Sequence, residues 1–209
     1  MKPGLFITFE GMDGSGKSTQ MRRLAARLRE LGRTVIETVE PGGPPIAMKI
    51  RRILLDSANQ ELSPSAELLL YFASRAQNVD QVIRPALDRG EIVISDRFTD
   101  SSLVYQGYGR RLGADAVRAL ESVACRGLKP DLTILVDVDA EASLARARNE
   151  AEPHCETRMD DQSLDFHREV YRAYHELAEA EPDRVKLING RAGIDEIEHE
   201  VWNVVSAYV

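Results

Sequence analysis

Leu5-Phe6-Ile7-Thr8-Phe9 runs into Glu10-Gly11-Met12-Asp13-Gly14-Ser15-Gly16-Lys17-Ser18-Thr19. The first part is an apolar strand. The second sets Gly11 and Gly16 with four residues between them and follows them with Lys and a hydroxyl residue. Glycines let the backbone turn tightly, so successive N–H groups point inward at phosphate oxygens. Lys17 is then in reach of the outer phosphates, and the Ser18 hydroxyl can ligate Mg²⁺. Met21, Leu24, Leu28 and Leu31 follow at helical spacing, so a helix begins here with its positive end under the anion. The strand–loop–helix setting makes residues 11–19, namely Gly11, Met12, Asp13, Gly14, Ser15, Gly16, Lys17, Ser18 and Thr19, a phosphate-binding loop.

Strands and helices alternate along the rest of the chain. Strands are expected at 5–9, 34–38, 91–95, 132–136 and 185–188. Helices are expected at 18–31, 46–55, 114–126, 140–148, 165–180 and 194–207. A further helix opens at the Ser63-Pro64 cap, carries Leu68, Leu69, Phe72, Ala76, Val79 and Ile83 on one side, and is kinked or interrupted by Pro85. This order predicts an α/β fold of the P-loop NTPase type: three layers, a five-stranded parallel sheet with helices on both faces. Ligands bind such sheets outside the carboxyl ends of the strands. Residues 1–209 are expected to form a single domain, with the polar segment 148–159 as a mobile lid.

The chain has 209 residues, a net charge of -7 and 43% hydrophobic residues. That balance speaks against a nucleic-acid partner. No apolar run is long enough to span a bilayer, and no secretory signal pattern opens the chain, so the protein is expected in the cytoplasm without a membrane partner. Cys125 and Cys155 are expected as reduced thiols. His154, His167, His175 and His199 lack metal-ligand spacing and are expected on solvated surfaces.

A phosphate loop alone does not choose between kinases, switch GTPases and motor ATPases. The chain lacks the Asn-Lys-x-Asp element with which GTPases read guanine. The strand Ile92-Val93-Ile94-Ser95-Asp96 ends in a carboxylate suited to hold Mg²⁺ directly or through water. Arg97 follows at once, either a bidentate phosphate ligand or a surface ion-pair partner.

At this point the sequence resembles the bacterial thymidylate kinases, over nearly its whole length. Residues 9–19 resemble their phosphate loop, Glu40-Pro41-Gly42-Gly43 their second-strand loop, and residues 70–77 their base-binding helix. Asp96-Arg97-Phe98-Thr99-Asp100-Ser101-Ser102 with Leu103-Val104-Tyr105-Gln106-Gly107 resembles their signature segment, and residues 130–138 their fourth strand. The implied reaction is transfer of the γ-phosphoryl group of ATP to dTMP with Mg²⁺. A kinase of another nucleoside monophosphate is the alternative. The resemblance also implies a homodimer.

The resemblance assigns roles residue by residue. Lys17, Arg97, Asp13, Arg158 and Arg148 are implied in catalysis, the last two from the lid. Asp13 would bind the sugar 3′-hydroxyl. Phe72 would stack on thymine, and Arg75, on the same helix face, would donate to its O4. Cytosine presents an amino donor there, so an Arg discriminates against it. Tyr105, a loop residue on the sequence alone, would crowd the 2′ position, and Gln106 would lie near the base. Arg97 and Arg51 would grip the acceptor phosphate. Glu40, Pro41, Ser101 and Ser102 would line the acceptor site, and Ser18 and Asp96 would hold the metal. The chain departs from the family pattern at Val39, where an Arg is common, at Pro44, at Phe98 and in the length of the lid.

Overall fold

Five parallel strands carry the fold: β1 (Leu5–Glu10), β2 (Val35–Val39), β3 (Ile92–Asp96), β4 (Leu132–Asp137) and β5 (Val185–Asn189), in the order β2-β3-β1-β4-β5. A computed structural model describes residues 4–150 and 162–209. Because β1 is central, chain connections leave in opposite directions on its two sides, which opens a crevice at its carboxyl end. Register brings the strand ends level there. Phe9 pairs with Asp96, and Val39 pairs with Asp96 from the other side.

Alternating side chains feed two layers. Ile7, Phe9, Ile92, Ile94, Leu132, Ile134 and Val136 pack against α1 (Lys17–Glu30) and α9 (Ile194–Val205). Phe6 and Val93 point the other way, into a cluster with Leu68 and Phe72 of α3 (Pro64–Asn78), Ala86 of α4 (Arg84–Asp88) and Val117 of α6 (Ala114–Cys125). A third cluster joins Met12, Val104 and Tyr105 to α8 (Leu164–Ala180). The remaining helices are α2 (Pro45–Leu55), α5 (Thr99–Ser102) and α7 (Ala140–Glu150). The three-layer parallel α/β architecture is the one expected.

Local departures have physical causes. Leu31 is the C-cap residue of α1 and is 58% exposed, because the helix ends before a further turn can carry it to the sheet. Leu69 is 56% exposed: one residue past Leu68, it is rotated off the buried face. Pro85 does not break its helix. A π turn over Val79–Ile83 precedes it, and α4 continues directly. Tyr105 and Gln106 are not loop residues. They lie in a π-helical segment, Leu103–Gly109, that continues α5. The two glycines in that segment disguise it, and tertiary contacts hold it in place. His167 is buried rather than solvated, on the inner face of α8. Cys125 is buried with a free thiol, and burial pushes it up to about 12.

Candidate active site

The phosphate loop links β1 to α1. Gly16, in the left-handed region at φ 87°, is the N-cap of α1; no side chain caps that end, and its first turn holds no acidic residue. The amides at this terminus are therefore available to an anion. Gly14 sits at φ 77°, and a Cβ there would lie 2.4 Å from the Ser143 carbonyl oxygen and 2.7 Å from the Ala147 nitrogen. The loop thus lies directly on α7, which only glycine permits. The Ser15 hydroxyl is buried and makes no hydrogen bond to a described residue. In a loop lined by backbone N–H groups, such a hydroxyl fits a phosphate oxygen.

Two cations converge on one loop carboxylate. Lys17 Nζ donates to Asp13 Oδ1 at 3.2 Å and to the Met12 carbonyl at 3.4 Å. Arg97 donates to the same Oδ1 at 2.8 Å. Partial burial would raise Asp13, but the Arg97 guanidinium and the Lys17 ammonium outweigh it and hold the half-exposed carboxyl well below the usual range. Arg97 likewise stays charged: burial disfavours the cation, and Asp13 together with Tyr105, Tyr174 and Glu10 more than offsets it. Its NH1 donates to Ser101 Oγ at 3.0 Å and Tyr174 Oη at 3.3 Å, and its guanidinium stacks 5.0 Å from the centre of the Tyr105 ring. Burial pushes the Tyr105 phenol up, so it remains a neutral wall.

Ser18 Oγ donates to Asp96 Oδ2 at 2.5 Å. Register explains the meeting, since Asp96 ends the strand beside β1. Mg²⁺ takes hard oxygen ligands and keeps several waters, so one hydroxyl and one carboxylate next to a phosphate loop suit it. Among the described residues no group of three or more His, Cys, Asp or Glu gathers as a closed cage.

A second, buried polar cluster lies under α3. Arg75 is 1% exposed. Its Nε donates to Glu40 Oε2 at 2.6 Å, NH1 to Ser102 Oγ at 3.0 Å and NH2 to the Phe98 carbonyl at 2.9 Å. Asn78 donates to Glu40 Oε1 at 3.1 Å. Burial raises Glu40 despite the facing Arg75. The Arg75 guanidinium stacks 4.6 Å from the centre of the Phe72 ring. Phe72 is itself buried in the core cluster with Phe98, so what the structure brings together is Phe72 and Arg75 on each other. Arg51 leans over the cis Glu40–Pro41 bond, donating to the Pro41 carbonyl at 2.7 Å, in the field of Asp96, Arg97 and Asp13.

Three carboxylate or hydroxyl partners were not assigned roles from the sequence. Glu67, fully buried, accepts from Gln106 Nε2 at 2.9 Å and from Arg110. Because a carboxylate only accepts, the Gln106 amide is oriented with its Nε2 inward and its Oε1 left for another donor. Glu10 and Tyr174 stand behind Arg97. The one signal for Glu10 and Glu67 was a charged residue inside an apolar pattern. Of the lid residues, Arg148 sits on α7, the helix that Gly14 packs against, and Arg158 lies outside the described residues.

The Thymidylate kinase family model matches residues 9–201. Thymidylate kinase of Pelobacter propionicus is 49% identical over 201 residues, covering 95% of this chain and 92% of that one. Thymidylate kinase of Deinococcus radiodurans is 47% identical over 206 residues, covering 99% and 98%. The crystal structure of thymidylate kinase from Ehrlichia chaffeensis superposes with a TM-score of 0.80 at 31% identity, covering 97% of this chain and 99% of that one. Similarity at that level over nearly the full length of both sequence and fold leaves one assignment: the chain belongs to the thymidylate kinase family.

Proposed function

We propose that the groups gathered around Asp13 carry the family reaction, transfer of the γ-phosphoryl group of ATP to dTMP to give dTDP and ADP. The observation that carries this is the meeting of Lys17 and Arg97 on Asp13 beside the Ser18–Asp96 oxygen pair. Phosphoryl transfer spreads negative charge over the transferred group, so catalysis is mainly positioning and cationic stabilisation. The loop amides and Lys17 hold the donor phosphates. Arg97, with Arg51 behind it, holds the acceptor phosphate in line. Asp13 positions the acceptor sugar through its 3′-hydroxyl and keeps both cations at the reacting centre. Mg²⁺, held by Ser18 and Asp96, supplies further charge neutralisation on the phosphates when bound. Arg148 and Arg158 of the lid, segment 148–159 of the single domain, complete the cation set as it closes over the site and excludes water.

Base choice rests on Arg75, Phe72 and Gln106. Thymine offers an acceptor at O4 and a donor at N3, and the Gln106 Oε1 left free by Glu67 is an acceptor for such a donor. Glu40, Pro41, Ser101, Ser102 and Tyr105 wall the acceptor side. A coupled ADP-release assay against dTMP, dUMP, UMP, dCMP, dGMP and AMP, with a no-acceptor control, tests this. The expected order is dTMP first, dUMP weaker and dCMP lowest among the pyrimidine deoxynucleotides. Turnover without an acceptor, or preference for another monophosphate, would overturn the substrate.

A homodimer belongs to the same proposal. Ile53 of α2, Leu69 of α3 and Val123 of α6 are 46%, 56% and 73% exposed on helices that pack side by side. Burying these side chains against a second copy gives the association its hydrophobic drive. Leu69→Glu is expected to shift the sedimentation mass from dimer to monomer; an unchanged dimer would place the interface elsewhere. ATP as substrate and the free thiol of Cys125 support a cytoplasmic setting.

A further inference from the structure

Glu10 ends β1 among apolar residues and is fully buried, where a carboxylate is costly unless hydrogen-bonded. Its Oε1 accepts from the Phe98 amide at 2.7 Å and the Ser101 amide at 3.3 Å. Its Oε2 accepts from Ser101 Oγ at 2.5 Å and Tyr174 Oη at 2.8 Å. No step of the proposed chemistry uses it.

The partners of Glu10 all belong to the surroundings of Arg97. Arg97 has φ 72°, a strained conformation that non-glycine residues rarely adopt. Something must hold that turn. The Arg97 amide is fixed by the Phe9 carbonyl at 2.9 Å, its carbonyl by Ser95 Oγ at 2.7 Å, and the next amide by Glu10. The side chain is fixed by the same carboxylate at one remove. A hydroxyl carries one hydrogen. Ser101 and Tyr174 spend theirs on Glu10, so their oxygens turn lone pairs toward Arg97 NH1 at 3.0 and 3.3 Å. A guanidinium can only donate, so the hydrogen bonds run in one direction, from guanidinium to hydroxyl to carboxylate, and the carboxylate is the acceptor that takes the hydroxyl hydrogens.

We propose that Glu10 is the positioning residue for Arg97: its carboxylate pins the turn after β3 and orients the Ser101 and Tyr174 hydroxyls to receive the guanidinium. The catalytic consequence rests on the reading of Arg97 as the cation on the acceptor phosphate. Glu10→Gln keeps the shape and reverses the polarity. With the amide oxygen on the two backbone N–H groups, its Nε2 donates toward both hydroxyls, which then lose the carboxylate that oriented them.

Steady-state kinetics of wild type, E10Q, R97K and the double variant test this, together with the Arg97 Nε–H resonance, assigned by its disappearance in R97K. E10Q is expected to lower kcat by about 10²-fold, the scale of a small misplacement, with little change in the KM for ATP. In the R97K background E10Q is expected to cost less than about threefold, since groups acting as a unit are not additive. E10Q is also expected to move the Arg97 resonance. Asp100, Arg97, Arg75, Tyr105 and Tyr174 are the charged and titratable groups around Glu10, and burial with Asp100 pushes it up to about 7. Protonation below that pH removes an acceptor, so the wild-type kcat falls on the acid side and E10Q lacks that limb. Equal losses in both backgrounds with an unmoved resonance would overturn the positioning role, as would a wild-type rate for E10Q. A moved resonance with R97K at full rate would uphold positioning and overturn the role of Arg97 instead. Should E10Q not fold, Y174F removes one of the two oriented hydroxyls and is expected to shift the same resonance and lower kcat to a smaller degree; no shift there overturns the proposal.

Discussion

Arg97→Ala is expected to slow phosphoryl transfer by about 10³-fold or more, the scale on which a transition-state arginine acts. Among the described residues, Arg97 is the one side chain that hydrogen-bonds Asp13, Ser101, Tyr105 and Tyr174 together. Its loss removes the cation from the acceptor side while Lys17 stays on the donor side. The fold should persist. Asp13, the partner left behind, has a side chain 46% exposed, so water takes over much of the lost ion pair. Lys17→Ala is expected to act in the same direction from the donor side. A coupled assay gives the rate and a thermal melt gives the fold. Near-wild-type turnover in a well-folded Arg97→Ala protein would remove Arg97 from the chemistry.

The fate of Arg97 also shows what could be read in the sequence. Residues 11–18 were legible because their identities encode backbone geometry: Gly14 must approach Ser143 and Ala147, and no other residue fits. Strands were legible as apolar runs, and Asp96 as the carboxylate closing one of them. What stayed hidden depends on register between distant segments. Tyr174 meets Glu10 across 164 positions, and Gln106 meets Glu67 across 39. Leu31 and Leu69 matched the apolar pattern and still face solvent, because helical spacing says which residues share a stripe and not where the stripe ends. Residues 99–109 concealed a helix held by tertiary contacts, the Glu10 carboxylate at its first turn and α8 along its side, rather than by propensity. The residues beside Arg75 in the sequence gave no hint that it would be sealed against Glu40, 35 positions away.

That sealed pair gives the largest expected loss of stability. Glu40 and Arg75 have side chains 2% exposed each and meet at 2.6 Å. Removing one partner leaves a buried charge without compensation, which costs about 3–5 kcal/mol. Glu40→Ala is therefore expected to lower the thermal midpoint by on the order of 10 °C, and urea unfolding should shift accordingly. The loss should come mainly from the stranded guanidinium. Arg75→Met in the Glu40→Ala background, removing the second charge, should then regain a large part of it; a double variant weaker than either single one would show that the pair is worth more than its desolvation. The same three proteins separate structure from recognition. If Arg75 reads thymine O4, the preference for dTMP over dCMP must fall in Arg75→Met even where stability has returned. If the preference survives in the stable double variant, Arg75 is a pillar under the acceptor site, and base choice passes to Gln106, whose amide Glu67 holds in one orientation.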